Sequence, residues 1–171
     1  ANVWSHTYDG LGFRRATAAN GVPTNHLIDP TFLGQVVANY DDGGQITSRY
    51  IRGPRLVAMI DASGDIYYYG YDRTGHTRFL TDAAGAVVNT YDYGAFGEER
   101  GVMESTPNPF RYAGAYGVST ESNGLLFMRN RYYDPALGRF VSPDPAGLSR
   151  SLHAYTYSQN DPVNQVDPEG L

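Results

Sequence analysis

The sequence contains no cysteine, no lysine and no long apolar run. Without cysteine the chain can form neither a disulfide nor a thiolate metal site. All 13 basic residues are arginine and the formal net charge is −5, so the chain lacks the basic face that phosphate binding requires. Its longest apolar run, Leu56 to Ile60, is too short to cross a bilayer. We therefore expect no nucleic-acid partner and no membrane span.

The sequence also lacks the usual signals of a metal or cofactor site. No glycine-rich phosphate loop is present, and four scattered histidines have no metal-ligand spacing: His6, His26, His76 and His153. We therefore expect neither a metal nor a cofactor.

Tyrosine, glycine and proline are abundant, with 15, 20 and 10 residues, whereas charged residues make up only 18%. Tyrosine favours strands, and glycine and proline favour turns, so the composition predicts an all-β chain of many short strands. No stretch keeps a helical apolar period for three turns without Gly or Pro, so we expect no long helix.

A short motif, Tyr-Asp-x-x-Gly, recurs along the first half of the chain. It occurs at 8–12, 40–44 and 71–75, with a degenerate copy at 91–95 that has Gly97 nearby, and Asp-x-x-Gly alone occurs at 61–64 and 82–85. The Asp side chain can accept hydrogen bonds from the turn backbone, and Gly tolerates positive φ. The spacing predicts an antiparallel meander whose strands include 66–71, 76–80 and 86–91.

From about residue 107 the repeat lapses and a different set of motifs follows. These are Pro-Phe-Arg-Tyr-Ala-Gly at 109–114, Arg-x-Arg-Tyr-Tyr-Asp-Pro at 129–135, Gly-Arg-Phe at 138–140, and Asp-Pro-x-Gly at 144–147 and 167–170. In this order, residues 91–171 resemble the Rhs-repeat-associated core of bacterial polymorphic toxins, type VI secretion effectors and Tc-toxin C subunits. Two departures are expected to affect packing more than chemistry: Gly117-Val118 replaces a usual Tyr-Asp, and Leu126-Phe127 replaces an aromatic pair.

The resemblance implies a fold and a division of the chain. The fold is an antiparallel YD-repeat β-hairpin ribbon forming part of a hollow β-shell, or cocoon, with a C-terminal plug turned inward. Residues 1–104 would form the shell segment, and residues 105–171 would form the core with the autoproteolytic motif.

The resemblance also implies a reaction and partners. In this family the core cleaves its own chain directly after Asp-Pro-x-Gly-Leu, which corresponds to Leu171, and the severed C-terminal cargo, often a toxin, stays inside the shell. Other YD-repeat polypeptide would complete the shell, either as another fragment of one precursor or as copies of this chain, because strand edges near Val3 to Tyr8 would otherwise stay unpaired. Bacterial secretion or extracellular delivery would follow. The segment from Ala1 to Trp4 lacks signal-peptide features, so either export does not depend on this chain alone or its N-terminus arises by processing.

The two Asp-Pro-x-Gly motifs lie 23 residues apart and include Pro145, Gly147, Pro168 and Gly170. The motif favours a type I turn, so two ordinary turns are one interpretation. Peptide hydrolysis, however, needs a base and an acid, and two close carboxylates share a proton, so that one stays acidic near neutral pH. We assign Asp144 and Asp167 to this pair without deciding which is the acid. We expect both, and Leu171, to be shielded from water.

The resemblance assigns the family's essential arginine to Arg131. Its guanidinium would hold one carboxylate ionised or stabilise the developing oxyanion. The alternative is a strand arginine paired with Asp134 or with the shell wall. Arg129, two residues away on the same predicted strand face, and Arg139 are close enough to be confused with it.

Two other functions remain open from the sequence. The chain could be a structural YD-repeat component of an extracellular wall, adhesin or filament, in which Leu171 is the encoded end. It could also be a glycan-binding β-module, favoured only by its tyrosine content. Codons that continue past Leu171 would favour autoproteolysis over both.

Overall fold

The computed structural model describes residues 3–31, 34–147 and 153–171. Its described residues form fourteen strands in antiparallel sheets and two short 3₁₀ turns, Gly114–Tyr116 and Ser158–Asn160. The prediction of an all-β chain is confirmed. Within the described ranges, no helix has the length and hydrophobicity needed to cross a membrane.

The chain divides into two compact units, residues 1–68 and 69–171. In the first unit each strand pairs with the next along the chain. The strands are β1 (Trp4–Tyr8), β2 (Arg14–Ala19), β3 (Val22–Asp29), β4 (Gln35–Tyr40), β5 (Ile46–Arg52), β6 (Leu56–Asp61) and the first residues of β7 (Ile66–Tyr71). This is the meander that the repeat predicts.

The second unit contains the end of β7 and two further groups of strands. The meander continues through β8 (Thr77–Thr81), β9 (Val87–Tyr93) and β10 (Glu99–Glu104). A four-stranded antiparallel sheet follows, with β11 (Ser119–Thr120), β12 (Leu126–Met128), β13 (Arg131–Asp134) and β14 (Arg139–Phe140). The division into a shell segment at 1–104 and a core at 105–171 is a division by function and stays a prediction. The inward direction of the plug also stays a prediction.

The Asp-x-x-Gly turns have the structure that their sequence predicts. In one of them, Asp72 Oδ1 accepts hydrogen bonds from Thr74 N at 3.1 Å and His76 N at 2.9 Å. Gly75 closes the turn with φ +87°, and its N–H donates to the Asp72 carbonyl at 3.1 Å. The bond from the fifth turn residue to the Asp side chain recurs at Asp9, Asp41, Asp61 and Asp82.

The predicted turn at 91–95 is wrong. Asp92 lies within β9, where its carboxylate pairs with Arg78 at 2.7 Å. The turn lies two residues later and ends at Gly97. Gly97 has a positive φ of +91°, and its N–H donates to the Gly94 carbonyl at 3.0 Å. Alanine adopts this backbone conformation less readily than glycine, so the turn closes on Gly97 and not on Ala95. For the same reason β9 extends to Tyr93, beyond its predicted end.

An aromatic core positions the C-terminal segment on the four-stranded sheet. Tyr157 is fully buried, with its ring centroid 4.4 Å from that of Tyr133 and 5.9 Å from that of Phe140. Burial of each such ring contributes roughly 2–3 kcal/mol. The backbone joins the sheet as well, since Phe140 N donates to the Tyr155 carbonyl at 2.9 Å. The segment that carries the second Asp-Pro-x-Gly motif is thus held against β13 and β14.

Candidate active site

Arg131 is the first residue of β13 and is almost completely buried, with 3% of its surface exposed. Its guanidinium carbon lies 3.6 Å from the centre of the Phe140 ring on β14. An arginine fork can stack on an aromatic face and still donate hydrogen bonds in its own plane. This packing fixes the plane of the guanidinium within the core.

The three nitrogens of the Arg131 guanidinium contact different parts of the chain. Arg131 Nε donates to the Gly170 carbonyl at 2.7 Å, and Nη1 donates to the Ala154 carbonyl at 3.0 Å. Nη2 lies 3.5 Å from Asp144 Oδ2 and 3.6 Å from Asp167 Oδ2. One side chain therefore joins both motif aspartates to the backbone of the second motif.

The two aspartates are shielded and similarly oriented. Their side chains are 10% and 17% exposed for Asp144 and Asp167. Asp144 Oδ1 accepts a hydrogen bond from Ala146 N at 2.8 Å. Asp167 Oδ1 accepts from Gly170 N at 2.9 Å and from Leu171 N at 3.2 Å. The turn bonds thus go to Oδ1, while Oδ2 of each residue faces Arg131.

Burial dominates the electrostatics of this cluster. It raises the pKa of Asp167, against the opposing effect of the Leu171 and Gly170 amides and Arg131, and the charge of Asp144 raises it further. Burial also lowers the pKa of Arg131, which the two carboxylates counteract. An arginine remains charged after such a shift. A carboxyl group that holds its proton to higher pH thus lies next to a second carboxyl group and a fixed cation.

The glycines of the two motifs have different surroundings. Gly147 has φ +72° and Gly170 has φ +68°, so both occupy the left-handed region. Among the described residues, a Cβ on Gly147 would meet nothing within 4 Å, whereas a Cβ on Gly170 would lie 2.6 Å from the Met128 carbonyl oxygen. Only the second glycine is packed tightly against the turn that precedes β13.

Several predictions about neighbouring residues need correction. The alternative pairing of Arg131 with Asp134 is not observed, because Arg131 faces Asp144 and Asp167, and Asp134 Oδ1 accepts from Ala136 N at 2.9 Å in a turn. Arg129 does not share a strand face with Arg131, since it precedes β13 with φ +53°. Leu171, expected to be shielded, is 42% exposed.

One buried histidine was missed as a structural residue. His76 is 6% exposed, and its ring stacks on Tyr112 with centroids 3.8 Å apart. Its Nδ1 accepts a hydrogen bond from Ala113 N at 2.9 Å. Burial lowers its pKa to about 4, so it is neutral in the folded chain at pH 7. In the described part of the chain no group of three or more His, Asp or Glu could hold a metal.

The Teneurin YD-shell family model matches residues 29–163, most of the chain. The chain belongs to the Rhs/YD-repeat proteins. A WapA of Bacillus spizizenii, described as a tRNA3(Ser)-specific nuclease, is 33% identical over 97% of this Rhs/YD-repeat chain and 7% of its own length. Double-stranded DNA deaminase toxin A of Burkholderia cenocepacia is 40% identical over 62% of this chain and 8% of its own.

Solved structures of Tc toxins share the fold. The crystal structure of TcdB2-TccC3 matches 98% of this Rhs/YD-repeat chain with a TM-score of 0.72 and 19% identity. A Tc holotoxin pore of Photorhabdus luminescens matches the same share with a TM-score of 0.73 and 20% identity. The family and these neighbours fit a β-shell. The chain spans less than a tenth of the length of each of these relatives and structures.

Proposed function

We propose that this chain is the C-terminal core of an Rhs/YD-repeat shell that encloses a C-terminal toxin or effector and separates it by cutting its own chain after Leu171. The observation that carries the proposal is the position of Arg131. It hydrogen-bonds the carbonyl of Gly170, the residue before Leu171, and it faces both Asp144 and Asp167. The catalytic groups are thus tied to the peptide that they would cleave.

The reaction is the hydrolysis of the peptide bond after Leu171. One carboxylate removes a proton from water, whose oxygen forms a bond to the Leu171 carbonyl carbon. The other, protonated carboxyl group gives its proton to the departing nitrogen as the C–N bond breaks. The products are a Leu171 carboxylate and a new amino terminus, and Arg131 stabilises the negative charge that develops.

The surroundings of Asp167 favour its role as the acid. Burial raises the pKa of Asp167 and outweighs the Leu171 and Gly170 amides on its Oδ1, which lower the pKa. Asp144 is then the base. Because the scissile bond is tethered to the catalyst, effective molarity of up to roughly 10⁵–10⁸ M replaces substrate binding. The enzyme is a single-turnover aspartyl protease.

The cargo, partners and location form part of the same proposal. Relatives named as a nuclease and a deaminase toxin support a toxin downstream of the shell. Further YD-repeat polypeptide would complete the shell around it, and the assembly would be secreted or delivered outside the cell. The activity of the cargo would belong to the segment that follows Leu171.

The test is the intact mass of the protein produced from its complete reading frame. We expect codons that continue past Leu171 and two products, one of which ends at Leu171. Acid cleavage of Asp-Pro bonds is distinguishable, because it leaves a chain that ends in aspartate. A stop codon directly after Leu171, or a folded full-length protein that stays intact, would favour the structural wall, adhesin or filament component instead.

A further inference from the structure

Three consecutive residues before and at the start of β13 donate hydrogen bonds to three consecutive carbonyls of the second motif. Arg129 Nη1 donates to Pro168 at 2.6 Å. Asn130 donates to Glu169 through its side chain at 3.0 Å and its backbone at 3.2 Å. Arg131 Nε donates to Gly170 at 2.7 Å. We call residues 129–131 the clamp.

Arg129 anchors the clamp to a second part of the chain. Its Nη2 donates to the Tyr116 carbonyl at 2.6 Å, in the 3₁₀ turn that precedes the four-stranded sheet. The guanidinium therefore bridges Tyr116 and Pro168. Burial lowers the pKa of Arg129, and the charge of Glu169 opposes the shift. A planar fork makes two such bonds with less loss of freedom than a lysine would.

The clamp determines the register of the motif relative to the aspartates. Gly170 fits against Met128 with no room for a side chain, so residues 168–170 cannot slide without losing all three sets of bonds. The next residue, Leu171, carries the carbonyl that would be attacked. A shift of about 1 Å at a reacting centre can cost on the order of 100-fold in rate.

We propose that Arg129 is a positioning residue for self-cleavage, which holds the Pro168 carbonyl so that the bond after Leu171 lies at the two aspartates. The inference rests on the proposed function and extends it. It assigns a role to Arg129, whereas the resemblance to the family assigned one to Arg131 alone. The hydrogen bonds from Arg129 to Pro168 and Tyr116 go to backbone carbonyls, which do not titrate, so through these contacts Arg129 acts on the geometry of the motif.

The experiment measures the first-order cleavage rate of the full-length protein across pH for Arg129→Gln, Arg129→Lys and Asn130→Ala. Arg129→Gln should slow cleavage on the order of 10- to 100-fold with an unchanged pH profile. Arg129→Lys should recover part of the rate, because one donor remains. Asn130→Ala should slow cleavage only a few-fold, since the backbone bond to Glu169 persists. Arg139→Gln, on an exposed residue of β14, should leave the rate unchanged.

Thermal unfolding of the uncleaved protein separates a positioning role from a structural one. Three results for Arg129→Gln would overturn the inference. They are a wild-type cleavage rate, a loss of rate that is explained by the unfolded fraction alone, and a shifted pH profile. If Arg129→Gln does not fold, wild-type rates in both Arg129→Lys and Asn130→Ala would overturn it. An intact wild-type protein would instead refute the proposed function, so the two failures are distinguishable.

Discussion

Asp144 and Asp167 direct their Oδ2 atoms to the same nitrogen of one buried arginine, at 3.5 and 3.6 Å, although they lie 23 residues apart in the chain. Each also uses Oδ1 to accept hydrogen bonds within its own turn. The same motif therefore builds a turn and presents a carboxyl oxygen. The interpretation of the motifs as ordinary turns is compatible with a catalytic pair.

Replacing either aspartate with asparagine should stop self-cleavage. Asn cannot accept the proton from water or return one to the leaving nitrogen, so Asp144→Asn and Asp167→Asn should each slow the reaction by at least about 100-fold. Both proteins should still fold, because asparagine keeps the oxygen that accepts the turn bonds. Intact mass measures the outcome. The same Leu171-ending product from both variants would refute the assignment.

Arg131→Lys should also slow cleavage strongly, on the order of 100-fold. Lysine has a single ammonium group and no planar fork, so it cannot reach Gly170, Ala154 and both aspartates at once. It also loses the stacking on Phe140. Cleavage is followed by mass over time, with Arg139→Lys, at the exposed residue of β14, as the matched control. Equal rates in wild type and Arg131→Lys would return Arg131 to a structural role.

The two motif glycines provide a matched pair. Gly170→Ala should abolish cleavage and lower the melting temperature, because its Cβ would lie 2.6 Å from the Met128 carbonyl oxygen. The Cβ of Gly147→Ala would meet no atom of the described part of the chain within 4 Å, so the substitution should cost the left-handed strain, about 1–2 kcal/mol. Cleavage assays and thermal unfolding of both variants test this. A Gly147→Ala loss as large as that of Gly170→Ala would show that backbone conformation, and not contact with Met128, sets the effect.

Local chemistry accounts for what could be predicted from the sequence. The hydrogen bonds of an Asp-x-x-Gly turn form among its own residues. The turn that ends at Gly75 could therefore be predicted from its four-residue sequence alone. The turn near Tyr91 could not be located by the repeat alone, since Asp92 fits a strand equally well and the positive φ falls on Gly97.

The clamp depends on long-range contacts that no local pattern contains. Arg129 and Pro168 are 39 residues apart, and they meet because the aromatic core holds Tyr157 between β13 and β14. An alternating strand pattern would place Arg129 and Arg131 on one face, but the positive φ of Arg129 breaks that alternation. The sequence motifs could therefore predict a role for Arg131, but they could not predict the contact of Arg129 with Pro168.

His76 should make stability fall as the pH is lowered from about 6.5 to about 4. Its pKa is near 4 in the folded chain and 6.5 when unfolded, because burial outweighs the opposing charge of Asp72, and Arg78 adds to the lowering. The unfolded state therefore binds more protons in this window, so the free energy of unfolding decreases as protons are added, by up to about 3 kcal/mol. Protonation would also remove the acceptor for Ala113 N.

Urea unfolding at pH 7 and pH 5 measures this effect when wild type is compared with His76→Asn. The difference between the two proteins isolates the histidine from Asp167, whose raised pKa adds its own pH dependence to both. We expect the variant to lose less stability than wild type between the two pH values. An identical loss in both proteins would contradict the structural role of His76.

The outer edge of β1 should make the isolated chain self-associate. Strand β1 (Trp4–Tyr8) is the first strand of its sheet and, within the described residues, pairs only with β2. Unpaired backbone groups on such an edge recruit another strand, and edge lysines prevent this.

Ser5 and Thr7 are exposed, so the double variant Ser5→Lys/Thr7→Lys should shift sedimentation from oligomers towards the 18.8 kDa monomer. Lysines at Ala83 and Ala84, in an exposed turn, add equal charge away from the edge and should leave the oligomers intact. A wild-type chain that sediments as a monomer at micromolar concentration would show that β1 needs no neighbouring strand.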